Sequence, residues 1–308
     1  MGSDNYLLTW TDQQWGRVRQ VVQDEANRAR VAATFLPLTG PLPADTDFVP
    51  SDELTYPAFA ERGERMQIND TSTIPLATLQ VKVFLRGAQV ADPDLTSALQ
   101  MFRRAANVLA RLEDIVVFNG QAGPSQGPKD KTPGIPTIWE ILGGRQGATP
   151  GLATNEAGTQ EPEQLSGEPE NWGEMLVSRV SSAIGKLEGA GHFGPFAVAL
   201  GQRLFNAVQT PNKTSLVLPQ DRIIPFLGGG PLLRSSALPD EAGVVVALGG
   251  APIDLVVATD VSVNFLQVTT DPMFVFRVYE KIALRIKEKK AIVRLLGPAE
   301  HDSVARKK

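Results

Sequence analysis

Apolar side chains recur at three- and four-residue steps through Trp15, Val18, Val22, Ala26 and Ala29, with Arg17, Arg19, Gln20, Gln23, Asp24, Asn27 and Arg28 between them. This spacing predicts an amphipathic helix over about Thr11–Ala33, opened by a Thr11-x-x-Gln14 capping box. A longer seam, Leu95, Leu99, Phe102, Ala106, Leu109, Leu112 and Val116, predicts a helix from Asp94 to Asn119, ended by Gly120. A third, Trp172, Leu176, Val180, Ala183 and Leu187, follows Asn171-x-x-Glu174 and predicts a helix to about Glu188. Alternation at period two predicts a strand over Leu76–Leu85, with Leu79, Val81 and Val83 on one face. Phe196–Leu200 reads as a short buried strand, followed by short helices near Gln202–Val208 and Pro219–Leu227. The rest is mostly β: Gly243–Leu248, Ile253–Ala258, Asp260–Val268, Phe274–Lys287 and Ala291–Leu296, with Ile282, Leu284 and Ile286 opposing Ala283, Arg285 and Lys287.

Two stretches break these patterns. Phe35–Phe59 holds five prolines in 25 residues, which excludes a regular helix and predicts an irregular extended arm through about Ile74. Gln121–Glu170 is rich in Gly and Pro and then acidic; only Thr137–Leu142 is predicted to be ordered by itself, and the rest reads as an insertion. The tail from Gly297 reads as solvated.

Composition narrows the chemistry. The 308 residues suffice for more than one lobe, and 42% hydrophobic content fits a globular chain. No apolar run approaches the roughly 18 residues that a membrane span needs, and the first ten residues lack the basic and apolar regions of a secretory signal. There is no cysteine, hence no thiolate site, which suits the cytoplasm; the two histidines, His192 and His301, are too few for a multi-histidine metal centre. A net charge of −4 gives no reason to expect nucleic acid as a partner.

One stretch carries the look of an enzyme. Glu188–Phe196, "EGAGHFGPF", contains a literal G-x-G-x-x-G and His192. A dinucleotide loop follows a strand and opens a helix, so that the helix N-terminus meets the pyrophosphate. Here the order is reversed, and the glycines read as a helix stop and connector. No serine elbow, Walker loop or H-E-x-x-H accompanies His192. Glu113-Asp114 point about 100° apart on a helix and make no ready acid/base pair, Asp240-Glu241 are likewise sequence neighbours, and the acidic run Glu156–Glu170 reads as a solvated loop. No catalytic, cofactor or metal residue is assigned.

The order of elements, an α+β arrangement of helix, proline-rich arm, long spine helix, second lobe and closing strands, resembles the HK97-type phage-capsid fold. Four stretches resemble the encapsulins, nanocompartment shells built on that fold. They are "TDQQW" with Gly40-Pro41 placed 25 residues after Trp15, "LEDIVVFNG" (Leu112–Gly120), "GHFGPFAVAL", and the strand set from Asp260 to Leu296. The resemblance implies residues 1–50 as N-terminal helix and entry, 51–76 as an extended arm, and 77–195 as a peripheral lobe. It further implies 196–258 as an axial lobe and 259–296 as strands returning to the peripheral lobe.

It implies a non-enzymatic shell subunit whose partners are itself, in icosahedral multiples of sixty, and cargo enzymes with C-terminal targeting peptides. Ferritin-like iron-storing proteins and dye-decolorising peroxidases are the cargo that the family suggests. The expected peptide groove is Trp15, Val18, Val22, Phe35 and Leu36; the expected five-fold pore loop is Asn212, Lys213, Thr214 and Ser215, Lys213 favouring anions. The chain departs from the family pattern at Ala32-Ala33 and Pro37, which alters the polar part of the peptide pocket. It has Arg86 and no Trp in "VFLRGAQV", so no flavin is carried over. A phage or prophage major capsid protein of the same fold is the alternative, and a small-molecule enzyme using His192 the third reading.

Overall fold

Thr11 starts the first helix as its capping box predicts: its side chain accepts from Gln14 N–H, and the Gln14 side chain returns to Thr11 N–H. The computed structural model describes residues 8–55, 67–69, 71–121, 139–142, 149–158, 162–166, 171–211 and 217–297. Helix α1 (Asp12–Ala29) stops four residues before the sequence pattern does. The reason lies in the partner helix: Asp114 takes the Val31 and Ala32 N–H groups at 2.8–3.1 Å, removing donors that would have continued the ladder. A short 3-10 turn, Ala32–Thr34, follows.

The first sheet is built from β1 (Leu38–Thr39), β6 (Ala77–Arg86), β7 (Trp139–Leu142), β12 (Ile253–Val268) and β13 (Met273–Ile286). Their order across the sheet is β1-β12-β13-β6-β7. Strand β6 buries Leu79, Val81, Val83 and Leu85 beneath the spine helix α3 (Thr96–Asn119), which is reached through one helical turn, α2 (Gly87–Val90). Helix α1 lies beside α3 and reaches β12. The two strands expected over Ile253–Ala258 and Asp260–Val268 are one strand. Irregularities in its pairing with β13 at Val257–Ser262 shift the phase of alternation, as a bulge does, and so mimic a break in the sequence.

The second sheet is built from β8 (Glu163–Gln164), β9 (Phe196–Leu200), β10 (Leu232–Arg234), β11 (Ala242–Ala247) and β14 (Ile292–Leu296), in the order β10-β9-β11-β14-β8. Helices α4 (Trp172–Gly189), α5 (Gln202–Gln209) and α6 (Pro219–Ile223) complete this lobe. Asn171 makes no side-chain cap; Glu174 instead pairs with Arg222 of α6. The structure shifts two expected lobe boundaries. Strand β14 does not return to the first sheet but lines up antiparallel to β11, Val245 opposite Val293, and α4 packs in this second lobe rather than the first.

Residues 149–166 also depart from the expectation of a loose insertion, so far as they are described. Leu152 and Ala153 N–H donate to Val117 and Phe118 carbonyls at 2.8 Å, and Leu152, Ala157 and Leu165 are buried. Gly120 turns the chain here at φ +85°, and an added Cβ would lie 2.6 Å from the Thr149 carbonyl oxygen. Glu163, buried, meets Lys186 at 2.6 Å and Arg179 at 3.2 Å. Single apolar anchors of this kind leave no periodic trace in the sequence.

The arm begins as two short antiparallel ladders. Strand β2 (Phe48–Pro50) pairs with β5 (Thr73–Pro75), and β3 (Glu53–Thr55) with β4 (Gln67–Asn69). At its root Val49, Ile74 and Leu76 pack on Val256, Ala258 and Ala283, a cluster separate from the main core. The C-terminal tail from residue 298 lies outside the described residues, as does His301.

Candidate functional site

An aromatic cluster sets where α1 lies. Trp10 stacks on Phe276 of β13 with centroids 4.9 Å apart, meets Trp15 edge-on at 5.2 Å, and donates its indole N–H to the Val90 carbonyl at 2.9 Å. Phe102 and Phe265 close on the same Phe276 ring at 5.4 Å. The helix is thereby held at the rim of the first sheet. Between them runs a groove of about 200 Å³, with Arg19, Val22 and Gln23 on the helix side and Val261, Ser262, Val263, Asn264 and Tyr279 on the sheet side. Arg19 caps it, its guanidinium 5.7 Å from the Trp15 ring centroid. The strand bordering this groove is an edge: β1 pairs with β12 only at Leu255 and Val256, so among the described residues Ser262–Val268 have no neighbouring strand on that side.

The residues expected to line a peptide groove are placed mostly inward. Val18 and Val22 are inaccessible to solvent, Phe35 and Leu36 are buried, and Trp15 is half-buried against Trp10 and Phe276. Of the five, Val22 alone borders the groove, as its floor. The polar residues around it, Ser262, Asn264 and Tyr279, lie 240 or more residues downstream and carry no local signal that connects them to α1. The expected pore loop, Asn212–Ser215, lies outside the described residues.

The glycine turn behaves as a connector. His192 N–H donates to the Leu187 carbonyl at 2.9 Å, closing α4, and Gly191 takes φ +89°. The His192 ring is buried, with Nε2 3.8 Å from Glu288. No group of three or more His, Cys, Asp or Glu among the described residues is arranged to hold a metal ion.

Two charged clusters were not legible in the sequence. At the root of the arm, Arg285 donates Nε and Nη2 to Asp254 at 2.9 and 2.6 Å and also pairs with Asp52; Thr39 and Lys287 reach the same Asp254 at 2.7 and 3.2 Å. Burial pushes the Asp254 carboxyl up, but hydrogen bonds from Arg285 and Thr39 outweigh it and hold the group below its ordinary range. Where α1 ends, Asp114 of α3 holds the Val31 and Ala32 backbone and Glu113 meets the Arg30 side chain. Their 100° divergence, which argued against an acid/base pair, is what lets Asp114 hold the backbone N–H groups while Glu113 faces Arg30 at 3.5 Å. Burial lifts Asp114 to about 7 against the pull of those N–H groups.

Compared with known proteins, residues 8–129 and 141–283 match the family model Linocin_M18, described as encapsulating protein for peroxidase. The type 1 encapsulin shell protein EncA of Myxococcus xanthus is 28% identical over 298 residues, 93% of this chain and 93% of that protein. The virus-like particle of Pyrococcus furiosus superposes with a TM-score of 0.65 at 17% identity, over 92% of this chain and 100% of the other. The capsid of Myoviridae phage XM1 does so at 0.57 and 11% identity, over 87% and 91%. The architecture is the HK97-type capsid fold.

Proposed function

Because this chain belongs to the encapsulin family of shell proteins, we propose that it closes into an icosahedral compartment and retains cargo enzymes by a short peptide bound between α1 and β12. The observation that carries the cargo reading is the groove of about 200 Å³ beside a strand edge that has no neighbour among the described residues. An extended peptide can add to the backbone groups that Ser262–Val268 leave without a strand neighbour among the described residues, its side chains meeting Arg19, Gln23, Asn264 and Tyr279 over a floor of buried Val22 and Val263. Of the residues expected for the groove, Val22 stays in it. The buried Val18, Phe35 and Leu36, and Trp15 beneath Arg19, support the wall without touching the peptide.

Self-assembly is supported by apolar side chains that a lone subunit leaves in water. Phe48 and Ile68 stand exposed on the arm, and Phe193, Ile224 and Phe226 on the second lobe. A hairpin with so little core of its own gains order by lying across a neighbouring copy. The family description points to a peroxidase as cargo. A pore at Asn212–Ser215 that admits small solutes belongs to the same reading.

The test is negative-stain electron microscopy of the protein expressed without partners, followed by co-expression with a peroxidase that carries a C-terminal targeting peptide. Closed, uniform, DNA-free particles are expected, with the peroxidase retained through size exclusion. Asn264→Trp, which fills the groove from an exposed position, is expected to leave particles intact and lose the peroxidase. Monomers or dimers at micromolar concentration overturn the shell reading, and particles filled with DNA favour a phage capsid.

A further inference from the structure

The junction at the end of α1 gathers more carboxyl groups than cations. Glu113 and Asp114 come from α3, Glu280 from β13 and Asp260 from β12, and Arg30 is the cation they share. Asp114 is satisfied by the Val31 and Ala32 N–H groups. Asp260 reaches solvent and meets Arg30 Nη2 at 3.5 Å. Glu113 and Glu280 are different: they are 0% and 1% exposed and near enough for each to act on the other's charge. Neither oxygen of Glu113, nor Oε1 of Glu280, has a hydrogen-bond partner among the described residues, and Arg30 Nε stands 3.5 Å from Glu113 Oε2. Burial and the like charge of the other both work against ionising two carboxyls beside one guanidinium. A proton between them removes one charge and supplies the missing hydrogen bond.

We propose that Glu113 and Glu280 share one proton and, with Arg30, form a proton-dependent latch that fastens the end of α1 to the spine helix and the sheet. When the proton leaves, a second buried negative charge appears that Arg30 cannot neutralise. Glu113 sits inside a long helix and Glu280 inside a doubly paired strand. Residues 30–32 belong to neither, so they are the part that yields. Release lifts the end of the helix that carries Arg19, Val22 and Gln23, the helical wall of the groove. The latch holds whether or not that groove binds cargo.

The direction with pH follows from linkage. Burial raises both carboxyls, Glu280 the more strongly, so the folded junction keeps a proton that the open chain has already released. Opening therefore expels one proton and becomes about tenfold easier per pH unit across the window above the ordinary glutamate value, until the folded pair itself has titrated. Asp114, lifted to about 7, titrates in the same direction and is common to every chain compared.

The experiment is amide hydrogen exchange of the assembled protein between pH 6 and 9, corrected for intrinsic base catalysis and read at Val31 and Ala32. Wild type is compared with Glu280→Gln and Glu113→Gln. Protection in wild type is expected to fall more steeply with pH than in either variant, by up to one decade per pH unit. Infrared spectra at pH 8, above the Asp114 value, are expected to show a protonated-carboxyl band in wild type that Glu280→Gln lacks. Parallel exchange slopes, or no such band in wild type, overturn the latch. The wild-type spectrum alone decides whether the buried proton is present, even if a variant does not fold.

Discussion

Replacing Arg285 with Met tests whether charge holds the root of the arm. The substitution keeps much of the side-chain volume but removes the donors at 2.9 and 2.6 Å from an Asp254 that is 2% exposed. Breaking a buried pair from one side costs about 3–5 kcal/mol, because the remaining charge stays desolvated. Thr39 at 2.7 Å and Lys287 at 3.2 Å stay behind, so the expected loss is lower, about 2–3 kcal/mol. At about 2–4 °C per kcal/mol for chains of this general size, melting followed by near-ultraviolet circular dichroism should drop by about 4–12 °C. The double variant Asp254→Asn/Arg285→Met leaves no buried charge and should recover part of that loss. The pH dependence has a definite sign. Asp254 is held below its ordinary value, so its pair contributes stability above about pH 4 that is lost as pH falls through the folded value. Arg285→Met should therefore lose less on acidification than wild type. A melting point within 1 °C of wild type, or a double variant no more stable than the single one, would show that the root is held by packing of Val49, Ile74 and Leu76 instead.

Phe276→Ala removes the ring on which Trp10, Trp15, Phe102 and Phe265 converge, and should cost about 4 kcal/mol in denaturant unfolding; a loss under 1 kcal/mol would mean that the cluster does not position α1. Gly230→Ala places a Cβ 1.9 Å from the Phe196 carbonyl oxygen, so β9 and β10 must separate, and soluble yield should collapse. Gly191→Ala has open space around it and pays only for its φ of +89°, about 1–2 kcal/mol, so it should still assemble.

How much the sequence determined follows from the range of each signal. The helices over Asp12–Ala29, Thr96–Asn119 and Trp172–Gly189, and strands such as Phe196–Leu200, were legible because periodicity and caps are written within one element. The family resemblance was legible for the same reason, in short contiguous stretches such as Leu112–Gly120. The destination of Ile292–Leu296 was not, because a strand reads the same whichever sheet edge receives it, and only the tertiary structure shows that β11 does so. The join of Ile253–Val268 was hidden by irregular pairing that reverses the alternation. Groove, arm root and latch lay further out of reach. Val22 and Val263 line one groove, Asp52 pairs with Arg285, and Arg30 comes near Glu113 and the charge of Glu280 only after the sheet has brought distant parts of the chain together. Local spacing sets which face of an element is apolar; which charged groups share a buried space is decided by the packing of elements far apart in the chain, and with it where protons and partners bind.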